Sequence, residues 1–223
     1  MKTKNNELLF RQQYYKEQQM ELKYIGNIGA LTDIECMRLR TKRVFIAGCG
    51  GASGTVIEML LRLGVKEIRC ADGGRFDEDN LHNQLLCDLG MIGWPKPDAA
   101  FARAVAVNTD VVFTPSSVKL TETNAEKLIN GCDIVIDGCE NHDTRVTVKK
   151  VCDALNIPFV YGCPHGWQAD AAILYRGDAL PESKTENAPY FTVAMCGAMQ
   201  SALCVKYLCG REAEHGRIVS YKL

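Results

Sequence analysis

Short apolar runs alternate with helical stretches along most of this chain. Val44–Ala47 is a four-residue apolar run, followed at once by Gly48, Gly50, Gly51 and Gly54. A helix over 52–63 comes next, with Val56, Ile57, Leu60, Leu61 and Leu63 at the spacing of one packed face. Gly64 stands where a left-handed C-cap belongs. The same reading places strands at 44–48, 67–72, 110–114, 132–137 and 158–162. Helices fall between them at 98–107, 123–130 (capped by Thr121 or Thr123) and 142–155. Upstream, residues 5–24 read as a polar helix broken by Gly26 and Gly29. Thr32 with Glu35 forms a capping box for a helix over about 33–41. Downstream, 169–176 reads as an antiparallel strand, 177–190 as a polar loop and 191–209 as a helix apolar almost all round. Residues 218–222 read as an edge strand.

Strands regularly separated by helices predict an α/β fold. The expected form is a Rossmann-like, doubly wound and mainly parallel sheet, with an N-terminal helical extension (1–31) and an antiparallel C-terminal edge. Residues 32–223 would be one nucleotide-binding domain. The helix over 191–209 reads first as a core helix and second as a contact between subunits.

Composition narrows the function. The chain has 26 basic and 27 acidic residues in 223, so no nucleic-acid or anionic-membrane footprint is expected. No apolar run reads as a membrane span and the N-terminus lacks a signal-peptide core, which points to the cytoplasm. Eleven cysteines, none spaced Cys-x-x-Cys, read as reduced, buried thiols and argue against zinc.

The chemistry concentrates at the C-terminal ends of the strands, where open α/β sheets bind ligands. A strand, a glycine turn and a helix N-terminus form an anion site. Asp72, at the end of the second strand, is placed to hold ribose hydroxyls. Further polar groups follow in the connectors: Arg75, Asn80, His82, Asn83 and Gln84; Lys96; Glu140, Asn141 and Arg145; Cys163 and His165. A carboxylate for ribose, a lysine for phosphate and an acid for Mg2+ would assemble an ATP site.

The ordered blocks Gly48–Gly54, Asp72 with Asn80-Leu81-x-x-Gln84, Pro95-Lys96, and Asp137 through Arg145 resemble the ThiF/MoeB/HesA, E1-like superfamily. The resemblance runs from about residue 23 to about 209. It implies an ATP-dependent adenylyltransferase that activates a carboxylate, either the C-terminus of a ubiquitin-like sulfur carrier or a small-molecule or peptide acid, and that works as a homodimer. By resemblance, Gly48, Gly50, Gly51, Ala52 and Gly54 line the phosphate loop, and Asn80, Asn83 and Asn141 belong to the nucleotide site. Lys96 would bind phosphate and stabilise charge at the α-phosphorus, with Asn80 and Arg145 as its catalytic companions. Glu140 would bind the metal where the family usually has Asp. Two family arginines are missing: Asn83 and Gly26 stand at their places. Arg11, Arg75 and His82 are the candidate substitutes. The absence of those clamps supports a rival reading, a nucleotide-binding scaffold weak in catalysis. A nicotinamide-dependent oxidoreductase is a third, opposed by Ser53 in place of its third glycine.

Overall fold

A computed structural model describes residues 22–223 except 183, 185, 213 and 214. Most of the helix expected over 5–24 lies outside the described residues. Its last residues are in a short 3-10 turn, Leu22–Asn27, through which Tyr24 is buried against the core. Seven strands form one sheet: β1 (Arg43–Ala47), β2 (Glu67–Ala71), β3 (Val112–Ser116), β4 (Ile134–Asp137), β5 (Phe159–His165), β6 (Gln168–Leu174) and β7 (Val219–Lys222). The order across the sheet is β3-β2-β1-β4-β5-β6-β7. The first five strands pair in parallel, and β6 and β7 add on antiparallel. The doubly wound sheet with an antiparallel edge is therefore the fold.

Among the described residues six helices accompany the sheet: α1 (Asp33–Leu39), α2 (Gly51–Leu63), α3 (Lys96–Val107), α4 (Ala125–Ile129), α5 (His142–Leu155) and α6 (Tyr190–Cys209). The strand residues alternate between two cores, as a period of two requires. Val44, Ile46, Ile134, Ile136, Val160 and Ile173 face one core, which α2, α3 and α6 complete through Leu60, Ala100 and Leu208. Phe45, Val135, Phe159, Tyr161 and Leu174 face the other, which α4 and α5 complete through Ile129 and Val148. Coverage on both faces explains why the central strands read as unbroken apolar runs.

Two of the expected caps hold. Thr32 Oγ1 accepts from the Glu35 N–H, and the Glu35 carboxylate accepts from the Thr32 N–H. Gly64 caps α2 at φ 74°. Several boundaries move, three of them for a readable reason. β3 starts at Val112 and runs to Ser116, because Glu67 pairs with Val112 and the parallel register carries pairing through Pro115 to Ser116. α4 begins at Ala125, and Asn124 takes the N-cap position expected of a threonine. α3 begins at Lys96 rather than at residue 98, with Pro95 before it and Pro97 in its first turn, where a missing N–H costs nothing.

α6 also corrects an expectation. Its 20 residues are long and apolar enough to cross a membrane by length and composition. In this fold it is a core helix, packed on α2, β5 and β6. Two of its buried donors find partners there: Gln200 Nε2 donates to the Asp137 and Val160 carbonyls, and Thr192 Oγ1 donates to the Gly166 carbonyl, whereas Gln200 Oε1 has none.

Candidate active site

Strand order reverses between β1 and β4, and a crevice opens at that point beyond the strands' C-terminal ends. It holds a cavity of about 800 Å3. Gly48 begins its floor at φ 110°. A Cβ there would lie 2.2 Å from the Gly138 carbonyl oxygen, so only glycine lets the β1 and β4 turns meet. Gly50 is the N-cap of α2 and makes no side-chain cap, which leaves the first helical N–H groups directed at the crevice. Gly50, Gly51 and Ala52 line it. Gly54 does not. It lies one turn into α2, where Leu85 and Leu86 pack within 3.3 Å of where a Cβ would be.

Asp72 joins two backbone turns. Its Oδ2 accepts from the Cys49 N–H at 2.8 Å and its Oδ1 from the Gly74 N–H at 2.7 Å. A carboxylate has about four acceptor sites, so two remain for hydroxyl donors. Lys96 lines the same side from the start of α3, its stem lying near Gly74 and its ammonium over the Phe76 ring at 5.6 Å. Asn83 and Gln84 line the crevice beside Gly50, and the Gln84 Oε1 has no hydrogen-bond partner. Asn80 lies outside this lining: its Oδ1 accepts from the Asp77 N–H and closes a 3-10 turn, Glu78–His82. The structure therefore gives Asn80 a local turn-forming bond.

The β4 end separates two carboxylates by their surroundings. Asp137 is buried, its Oδ2 accepting from Arg145 Nε at 2.6 Å and its Oδ1 from the Cys139 N–H at 3.0 Å. Burial pushes its carboxyl up, against the pull of Arg145 and Cys139. Burial also works against the Arg145 charge, but the Asp137 carboxylate outweighs it and raises the guanidinium further. Arg145 Nη2 donates to the Cys139 carbonyl, and the group lies 5.7 Å from the Tyr161 ring. Arg145 thus lines the crevice while its guanidinium braces the β4 turn. Asn141 caps α5, its Oδ1 accepting from the Thr144 N–H at 2.8 Å. Glu140 is exposed on the lining.

ATP and Mg2+ fit this donor set. The glycine turn and the α2 N-terminus offer backbone N–H groups to phosphates, and Asp72 retains acceptor capacity for a ribose. Mg2+ is usually held by one or two carboxylates plus phosphate oxygens; Glu140 is the carboxylate that would be open to it, whereas both Asp137 oxygens are engaged. No cluster of three or more His, Cys, Asp or Glu able to hold an ion exists among the described residues.

The cationic complement differs from the one expected. Arg75 Nη1 donates to the Gly93 carbonyl and His82 Nδ1 bonds the Asp79 carbonyl; neither lines the crevice. Arg11 lies outside the described residues. Lys119 and Lys184 line it instead. Lys119 follows β3, whose end at Ser116 lies two residues beyond the end expected from the sequence. Lys184 sits in a polar loop with no local signal. Cys163 lines the crevice, but its Sγ contacts the Lys184 carbonyl, and His165 is paired with Asp170. They form no thiol–imidazole pair. All eleven cysteines are free and buried. Burial raises Cys132 to about 11 and Cys152 to about 12, and lifts Cys49, Cys139, Cys196 and Cys204 as well.

The comparisons with known proteins follow this geometry. A SAMP-activating enzyme E1 of Haloferax volcanii is 28% identical over 200 residues, covering 82% of this chain and 74% of its own. A sulfur carrier protein adenylyltransferase of Thermus thermophilus is 30% identical over 138 residues, covering 62% and 51%. The chain spans about half the length of that relative, and less of several others. Among solved structures, E. coli MccB with ATP superposes with a TM-score of 0.74 at 17% identity, over 85% of this chain and 65% of that one. The ThiF family matches residues 16–223. With nearly the whole sequence matched and the family's sheet built around the glycine turn, this chain belongs to the ThiF family.

Proposed function

We propose that the protein is an ATP-dependent adenylyltransferase that activates a substrate carboxylate as an acyl-adenylate. One observation carries the reading: the α2 N-terminus, Asp72, Lys96 and Glu140 face a single crevice at the switch point of the sheet. That set, with Lys119 and Leu120 after β3, suits a nucleoside triphosphate laid from β3 toward β4. The carboxylate oxygen attacks the α-phosphorus in line, and the bond to the β-phosphate breaks with pyrophosphate leaving. No covalent enzyme intermediate is needed, so catalysis is positioning and charge stabilisation. Lys96 would hold phosphate oxygens at the head of α3, and Asp72 would fix the ribose. Glu140 would hold Mg2+, which would supply positive charge against the phosphates. Lys119 restores part of the positive charge that Asn83 and Gly26 forgo. The relatives named for sulfur carriers favour a ubiquitin-like carrier tail; a small acid is the other acceptor.

The apolar surface of Leu81, Leu85, Leu89, Trp94, Phe101 and Val105 suits a homodimer interface, since each of these side chains is more than a third exposed. Free thiols throughout suit a reducing compartment such as the cytoplasm.

The test is ATP–pyrophosphate exchange with candidate acids. Lys96→Ala should lower kcat/KM about 100- to 1000-fold, the usual cost of one preorganised charge donor, with circular dichroism unchanged. The scaffold reading draws on Arg75 and His82 turning to loop carbonyls instead of the crevice. Tight ATP binding without exchange, across a broad set of acids, would decide for it.

A further inference from the structure

The strand order sets the groups of the crevice in a row. Lys119 and Leu120 follow β3, Asp72 to Gly74 follow β2, and Gly48 to Ala52 follow β1. Asp137 to Glu140 come next at β4, then Gly162 to Pro164 on β5, with Lys184 beside them. The proposed nucleotide takes the row from β3 to β4. That leaves the β5 end for the second reactant, and this inference rests on that reading.

Lys184 is built into the β5 end by its main chain and left loose by its side chain. Cys163 Sγ contacts the Lys184 carbonyl at 3.7 Å, and the Tyr161 hydroxyl donates to the Glu182 carbonyl at 3.4 Å. Both anchors are on β5, so the loop position is tied to the crevice floor. The Lys184 ammonium rests 3.3 Å from Asp170 Oδ2 and 3.2 Å from His165 Nε2. Asp170 does not depend on it. His165 Nε2 lies 3.0 Å from the same oxygen, Gln168 Nε2 donates to Oδ1 at 2.9 Å, and Ser220 bonds the carboxylate too. Asp170 is thus supplied with donors, and its side chain is 10% exposed against 53% for Lys184. The lysine can leave without stranding a buried charge.

An incoming carboxylate needs such a cation. It must come up to a polyphosphate, anion against anion, and hydrogen bonds to charged groups are the strong ones. At this end of the row Arg145 is committed to Asp137 and Cys139. We infer that Lys184 is the acceptor-binding residue: it is parked on Asp170 in the free protein and transfers to the carboxylate that is to be adenylated. The acceptor is therefore an acid whose reacting carboxylate enters past Cys163 and Pro164, singly extended, and is oriented by one ammonium group. Lys184 touches the substrate and takes no proton.

The experiment compares wild type, Lys184→Ala and Lys184→Arg in two measurements. The first is calorimetric titration with Mg2+ and the non-hydrolysable analogue AMPCPP. The second is ATP–pyrophosphate exchange supported by a diglycine-ended ubiquitin-like carrier, by free glycylglycine and by benzoate. The expected result is a 10- to 100-fold higher acceptor KM in Lys184→Ala, the worth of one charge-assisted hydrogen bond. kcat should change little, AMPCPP affinity should hold and Lys184→Arg should recover part of the loss. Three results overturn the inference: an unchanged acceptor KM, an equal fall in AMPCPP affinity, or AMPCPP binding with no acid supporting exchange. Failure of the wild type to bind AMPCPP strikes at the nucleotide reading itself, and the inference goes with it.

Discussion

Two carboxylate–cation pairs stand in the same crevice and do opposite work. At the floor, Asp137 and Arg145 meet at 2.6 Å with side chains 0% and 10% exposed. At the lip, Asp170 and Lys184 meet at 3.3 Å, and the lysine is mostly in solvent. The floor pair shows that a family-block arginine can be structural, because desolvation makes each partner hostage to the other. The lip pair shows the reverse. Screening by water and three rival donors leave Lys184 replaceable, so it remains available to a ligand.

Three changes test the contrast. Arg145→Ala should have the largest effect, a loss of about 3–5 kcal/mol, because it strands a buried carboxylate. Urea unfolding followed by circular dichroism reads it, and a loss under about 1 kcal/mol would break the comparison. Asp170→Asn should have a smaller, pH-dependent effect. Burial works to raise the Asp170 carboxyl, yet the hydrogen bonds from Ser220, Gln168, His165 and Lys184 outweigh it and hold it well below its ordinary value of 3.8. A carboxyl depressed by folding stabilises above the ordinary value, and that contribution fades as pH falls through and below it. Wild type should therefore melt a few degrees higher than Asp170→Asn at pH 7, with the gap closing below pH 4. A gap that stays constant to pH 2 would remove Asp170 from the account. Lys184→Ala should change stability least, by under about 1 kcal/mol, as exposed ion pairs do. A larger loss would make the lip as structural as the floor.

The proposed nucleotide half of the crevice is legible in the sequence because backbone geometry specifies it. A strand, a glycine turn and a helix need particular residue types in consecutive positions, and so do the Thr32 and Gly64 caps. The proposed acceptor half is assembled from side chains far apart in sequence. Lys184 meets Asp170 across a strand and a loop, and no spacing announces that. Asp137 and Arg145 lay inside a recognised block, yet their role depends on burial, which spacing does not report. Lys119 was lost for a smaller reason. β3 pairs through Pro115, and a proline at the end of an edge strand reads from sequence as the strand's termination.

Free thiols without an exposed surface have a practical consequence. Eleven cysteines, all sequestered in the fold, leave almost nothing for an alkylating reagent to attack while the chain is native. Each unfolding event uncovers them together. Iodoacetamide uptake, counted by mass, then tallies openings of the molecule one molecule at a time, with no dye, tag or engineered probe.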